Sequence, residues 1–142
     1  DTIAVNVGYG ALHDASEAEI RAALQAANLL EFVDSLPLGI QTKVGENATR
    51  LSGGQRQLVN LTRVFLRRPR IWLMDEPTAA MDRQLADHVT RALQQALRPQ
   101  DTLVLVTHKP EMLTLVDRLV VIAKHEVLLD GPKEQVLRQL QA

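Results

Sequence analysis

The sequence contains no cysteine. Neither a disulfide framework nor a thiolate metal site can form, and the composition fits a reducing compartment. It also has almost no excess charge of either sign: 16 Lys and Arg stand against 17 Asp and Glu, a formal net charge of -1. The broad positive footprint of a nucleic-acid or membrane-surface binder is therefore missing, and partners must be argued from local features. Nowhere does the chain approach the roughly eighteen consecutive apolar residues of a membrane span. Its first residues, Asp1-Thr2-Ile3-Ala4, lack the basic and apolar regions of a signal peptide, so a soluble piece is expected. What remains, 142 residues that are 46% hydrophobic and 23% charged, suits one domain with a real core.

The first fifteen residues show no sustained period and read as a loop or short helical turn. Ser16-Glu17-Ala18-Glu19 has the spacing of a capping box, and Ile20, Leu24 and Ala27 follow on one helical face, which predicts a helix from about Glu17 to Asn28. A second short helix is expected over Leu29 to Leu36, closed by Pro37 and Gly39. Ile40 to Val44 reads as extended, and Gly45 to Arg50 as an irregular polar connection.

The stretch from Leu51 to Asp82 carries the chemistry. Ser52 sits at a helix N-cap, and Leu58, Thr62, Phe65 and Leu66 hold one face of the helix behind it. Gly53 and Gly54 thus mark a helix entrance, where backbone N–H groups lack intrahelical partners and the dipole favours an anion. Taken alone, two glycines at such a point are more often a simple loop joint. The Gln55-Arg56-Gln57 continuation and the spacing to the carboxylates that follow favour a phosphate site. Arg67, Arg68 and Arg70 suit the negative end of the helix and Pro69 stops it; they read as a solvated cluster, not a nucleic-acid patch.

Ile71 to Met74 is a continuous apolar run, expected as a strand buried on both faces of a parallel sheet. Asp75 and Glu76 stand at its carboxyl end, where open α/β sheets bind ligands. A helix should follow from Met81-Asp82 to about Leu97, with Leu85, Val89, Ala92, Leu93 and Ala96 inward, and then a strand over Thr102 to Thr107. This alternation implies a parallel α/β sheet and puts His108 on the same sheet edge as Glu76. Further on come a helical turn over Pro110 to Leu115, strands at Arg118 to Ala123 and Glu126 to Leu129 joined tightly through Lys124-His125, and a last helix from Lys133 to Gln141 opened by Pro132. His13, His88 and His125 have no metal-ligand spacing and read as surface residues.

These motifs, in this order, resemble the C-terminal part of the nucleotide-binding domain of ABC transporters. Leu51, Ser52, Gly53, Gly54 and Gln55 match the family's signature motif; Ile71 to Glu76 matches Walker B with its catalytic glutamate; Ala79 to Asp82 resembles the D-loop and His108 the switch histidine. Thr42 to Asn47 resembles the X-loop of the exporter branch, and Asp130-Gly131-Pro132 also recurs there. Within that branch, Ala80-Met81-Asp82 and the tail are most similar to type I secretion ATPases that export RTX-type proteins or adhesins. Departures are Met81, Ala48 and Thr62, where the family usually has leucine, glycine and alanine.

The resemblance implies an α/β fold: a partial RecA-like P-loop NTPase core, from about residue 69 to 142, and an α-helical signature subdomain, from about 10 to 68. It implies ATP and Mg²⁺ as ligands. Leu51 to Gln55 would contact ATP held by a second nucleotide-binding domain in a head-to-tail dimer, Asp75 would hold Mg²⁺ through water, and Glu76 and His108 would be catalytic. Asp82 would report between the two sites. A transmembrane domain would be the other partner, at the cytoplasmic face of a bacterial inner membrane, with no role for nucleic acid. None of the seven glycines opens the phosphate loop, since none is followed by lysine. Thr2-Ile3 with Asn6-Val7 resembles the stretch after the Q-loop, so the sequence is expected to start partway through such a domain. These residues by themselves are then expected to be inactive and to self-associate through an uncovered sheet edge. Competing readings are a soluble ABC ATPase linked to translation or DNA, and an interaction module that never meets nucleotide.

Overall fold

The computed structural model describes residues 1–10, 13–44 and 51–141. The X-loop-like residues Gly45 to Asn47 and the neighbouring Ala48 lie outside them.

Among the described residues, four α-helices build the first half. Helix α1 is Ile3–Val7, capped by Thr2, whose Oγ1 accepts from the Val5 amide at 3.2 Å. Helix α2 is Glu17–Ala26, and the capping box forms: the Ser16 amide donates to Glu19 Oε2 at 2.8 Å and the Glu19 amide to Ser16 Oγ. Helix α3, Leu30–Asp34, is tied back to α2 by the Arg21 guanidinium, which donates to both oxygens of Asp34 at 2.9 and 2.8 Å. A 3-10 turn at Gly39–Gln41 stands where an extended segment was expected, because Pro37 and Gly39 carry the chain round within a few residues. Extended pairing survives as one bridge between Thr2 and Lys43. Helix α4, Gly53–Arg67, is the longest in this half and ends at Arg68 in the left-handed region, φ 45°.

The second half alternates strand and helix. Strand β1 is Ile71–Asp75, helix α5 is Arg83–Ala96 and strand β2 is Thr102–Val106; β1 and β2 pair in parallel from Ile71–Thr102 to Asp75–Val106. After a 3-10 turn at Pro110–Leu115, strands β3 (Arg118–Ala123) and β4 (Glu126–Pro132) form an antiparallel hairpin, and helix α6 (Lys133–Gln141) closes the chain. Lys124 and His125 both take positive φ, 51° and 66°, as a two-residue turn matched to the strand twist requires.

One apolar cluster runs from Ile3 and Val7 of α1, through Leu24, Val33, Leu58 and Phe65, to Trp72 of β1, Val89 and Leu93 of α5 and Met112. The opening segment, aperiodic as sequence, is therefore core: Ile3 and Val7 are buried, and Arg63 of α4 donates to the Asn6 carbonyl and side chain. Phe65 meets Trp72 edge-on, ring centroids 6.5 Å apart, which joins α4 to β1. Burial of β1 on both faces is not found. Trp72 and Met74 are buried, whereas Ile71 and Leu73 are 64% and 76% exposed, because among the described residues the apolar cluster covers one face of the β1–β2 pair only.

Candidate functional site

The helix entrance is built by a second capping box. Ser52 is extended (φ -63°, ψ 165°), its Oγ accepts from the Gln55 amide at 3.1 Å, and its own amide donates to Gln55 Oε1 at 2.8 Å. The Gln55 side chain is thereby engaged within the helix start. Arg56 Nη1 donates to the Leu51 carbonyl at 2.8 Å and Leu51 is buried, so the residue before the cap is anchored. Gly53 and Gly54 are the first two helical residues, whose amides have no intrahelical acceptor and whose end of the helix carries the positive dipole.

Gly54 has a further reason to be glycine. A Cβ there would lie 3.1 Å from the Ala80 carbonyl oxygen, so the helix entrance packs backbone against the loop that follows β1. That loop carries the carboxylates. Asp75, the last residue of β1, is exposed; Glu76 follows with φ 44°, a left-handed conformation that costs a non-glycine residue on the order of 1–2 kcal/mol. Surrounding hydrogen bonds hold it there. The Glu76 amide donates to the Val106 carbonyl at 2.9 Å, extending the β1–β2 ladder, and the His108 amide donates to Glu76 Oε1 at 2.9 Å. The His108 imidazole, 95% exposed, has Nε2 3.6 Å from that oxygen, while the Glu76 side chain is 28% exposed. A carboxylate and an imidazole thus meet at the carboxyl edge of a parallel strand pair, the pairing the sequence places on one sheet edge.

Asp82 lies at the far end of the loop as N-cap of α5, its Oδ1 accepting from the Leu85 amide at 2.9 Å. Among the described residues no group of three or more His, Asp or Glu side chains could hold a metal ion. A groove of about 460 Å³ lined by Val5, Tyr9, His13, Ile20 and Ile40, among others, includes none of the motif residues.

Sequence reasoning missed three residues that fix the loop. Gln57 Nε2 donates to the Glu76 carbonyl at 2.7 Å and its Oε1 accepts from the Ala80 amide at 3.2 Å. Lys109 Nζ donates to the Thr78 carbonyl at 2.7 Å, and Thr78, fully buried, donates from Oγ1 to Met112 Sδ at 3.3 Å. Gln57 was visible as part of the Gln-Arg-Gln continuation, but nothing in that run says which backbone it meets.

The ABC transporter family profile matches residues 2–79. The chain is 44% identical over 137 residues to an ATP-dependent lipid A-core flippase of Bordetella pertussis (strain Tohama I), covering 96% of this chain and 22% of that protein. Against the protein of the same description from Dechloromonas aromatica (strain RCB) the identity is 40%, covering 96% of this chain and 23% of the relative. Among solved structures, a bacterial Atm1-family ABC exporter with ATP bound superposes with a TM-score of 0.88 at 31% identity, covering 98% of this chain and 24% of that one. The chain therefore spans about a quarter of the length of the proteins it matches.

Proposed function

The chain belongs to the ABC transporter family, and from that premise we propose that it supplies the signature helix and the catalytic carboxylate of an ATPase domain that drives a membrane exporter. Its fold is the α/β arrangement of that family, a partial RecA-like core joined to a helical part. We divide the two at about residue 68, between α4 and β1. The observation that carries the proposal is Glu76 with His108 at the carboxyl edge of β1–β2, beside the glycine-rich entrance of α4.

Each residue then has a task. Ser52, Gly53 and Gly54 donate to the γ-phosphate of an ATP bound by a second nucleotide-binding domain, using the helix-end amides. Glu76 orients the attacking water and takes its proton; His108 stabilises charge developing on the γ-phosphate. Asp75 would hold Mg²⁺, mostly through water, and the ion would supply neutralisation of phosphate charge. Asp82 reports between the paired sites. The partners are that second domain and a transmembrane domain, and the location is the cytoplasmic face of a bacterial inner membrane.

The cargo is read from chemistry borne by the relatives. The similar curated proteins are lipid A-core flippases, which favours an amphipathic lipid. Export of protein by a type I secretion system is the second reading, carried by Ala80-Met81-Asp82 and the tail. ATPase stimulation of the reconstituted exporter by lipid A, and not by an unfolded RTX-type polypeptide, decides for the first.

Without a Gly-x-x-x-x-Gly-Lys run, these 142 residues lack the amide nest and lysine for the β- and γ-phosphates. The purified chain is expected to release no phosphate from ATP above a Glu76→Gln control. In the full exporter, Glu76→Gln is expected to lower turnover by about a hundredfold or more while nucleotide binding persists. Turnover at the wild-type rate in that variant would sink the assignment of Glu76.

A further inference from the structure

We propose that Gln57 is a positioning residue for Glu76: one side-chain amide clamps the catalytic loop at Glu76 and Ala80 and ties it to the helix whose entrance binds the phosphate. The inference rests on the reading of Glu76 given above.

The geometry is bidentate. The Gln57 donor meets the Glu76 carbonyl at 2.7 Å and its acceptor meets the Ala80 amide at 3.2 Å, so the span from Glu76 to Ala80 is held at two backbone points by one planar group. Glu76 needs such a hold. Its φ of 44° is one that a non-glycine residue keeps only when its surroundings over-determine it, and the donor from Gln57 reaches its carbonyl directly. Gln57 stands one helical turn behind Gly53 and Gly54, and Gly54 lies so close to the loop that a Cβ there would sit 3.1 Å from the Ala80 carbonyl oxygen. Helix entrance and catalytic loop therefore form one unit: a shift of the α4 terminus on engaging phosphate moves the anchor of Glu76. Lys109 holds the same loop through the Thr78 carbonyl, and Gln57 ties it to α4. Gln57 is half-buried and touches no reacting atom, so its effect falls on the rate of the chemical step and not on nucleotide affinity.

The test uses the full exporter, reconstituted, with three variants. Gln57→Leu keeps the volume and removes both hydrogen bonds; Gln57→Glu keeps the acceptor for the Ala80 amide and loses the donor to Glu76; Glu76→Gln is the reference. Displacing a catalytic group by a fraction of an ångström to an ångström costs about tenfold to a hundredfold in rate. Both Gln57 variants are expected to lower kcat by that factor with KM for ATP within about twofold of wild type. Hydrogen exchange in the peptide spanning Glu76 to Asp82 is expected to quicken, with exchange in the rest of α4 unchanged. A wild-type kcat in Gln57→Leu alongside an inactive Glu76→Gln overturns the clamp and leaves Glu76 catalytic, whereas an active Glu76→Gln overturns both. A raised KM at unchanged kcat, or a lowered kcat without faster exchange in that peptide, also overturns it. If Gln57→Leu does not fold, Gln57→Glu decides by the same readings.

Discussion

Asp82 is a structural residue whatever it communicates between sites. Its Oδ1 accepts the Leu85 amide at 2.9 Å and so satisfies one of the donors that every helix start leaves open. Asp82→Ala is expected to cost about 1 kcal/mol, read as a lower midpoint in urea, and Asp82→Asn to recover most of it because the amide oxygen can still cap. An exporter in which Asp82→Asn restores stability but not turnover separates capping from signalling. At this scale the candidate residues could be picked out in the sequence because their motifs are contiguous runs: the Ser52 N-cap, Gly53 and Gly54, Asp75 and Glu76 each declare themselves within a few positions. The clamp was not. Gln57 reaches Glu76 across 19 positions and Lys109 reaches Thr78 across 31, and which carbonyl a long side chain meets is decided by how α4 packs on the loop. Periodicity carries no record of that.

Among the elements, those with a capping signal and several turns of apolar spacing were read closely: α2 forms behind its Ser16 box, α4 behind its Ser52 N-cap, and α5 begins after Asp82. The opening helix was not, since five residues of α1 hold too little period to register although Ile3 and Val7 lie in the core, whereas α3 and the turn at Pro110–Leu115 form within their expected ranges. The junction between α5 and β2 shows another contact that spacing leaves invisible. Arg98 donates to Asp101 and also to the Arg68 and Pro69 carbonyls, so it pins the end of α5 to the loop before β1. Hydrogen bonding from Arg98 holds the Asp101 carboxyl below its ordinary value and raises the Arg98 guanidinium. A carboxylate with a depressed value stabilises the fold above the ordinary range near pH 4, and that contribution is lost as pH falls through the folded value. Asp101→Asn is therefore expected to lower the melting temperature at pH 7, with the gap to wild type narrowing at an acidic pH below the ordinary carboxylate range. An equal gap at both pH values would show that the ion pair is not the source.

For the whole molecule, the unexpected feature is how much sheet surface stays apolar and open. In the parallel register Leu73 pairs with Val104, so the exposed residues of β1 and β2 lie on one face: Ile71, Leu73, Val104 and Val106. Val120, Ile122, Val127 and Leu128 are exposed on the β3–β4 hairpin as well. Each two-stranded sheet also has unpaired backbone along both edges among the described residues. Isolated exposed apolar residues are ordinary, but a contiguous patch beside an open edge promotes association. The continuous apolar run Ile71 to Met74 predicted a strand covered on both sides, and the uncovered side is what an interface would use. The 142-residue chain is accordingly expected to self-associate, its mean mass by light scattering rising with concentration. Leu73→Glu places a charge at the centre of the β1–β2 face, where pairing with a second copy would have to desolvate it, and should return the chain towards monomer. Concentration-independent monomer in the unsubstituted chain would remove the patch as a driving surface; association that survives Leu73→Glu would move it to the hairpin, where Ile122→Glu is the corresponding probe.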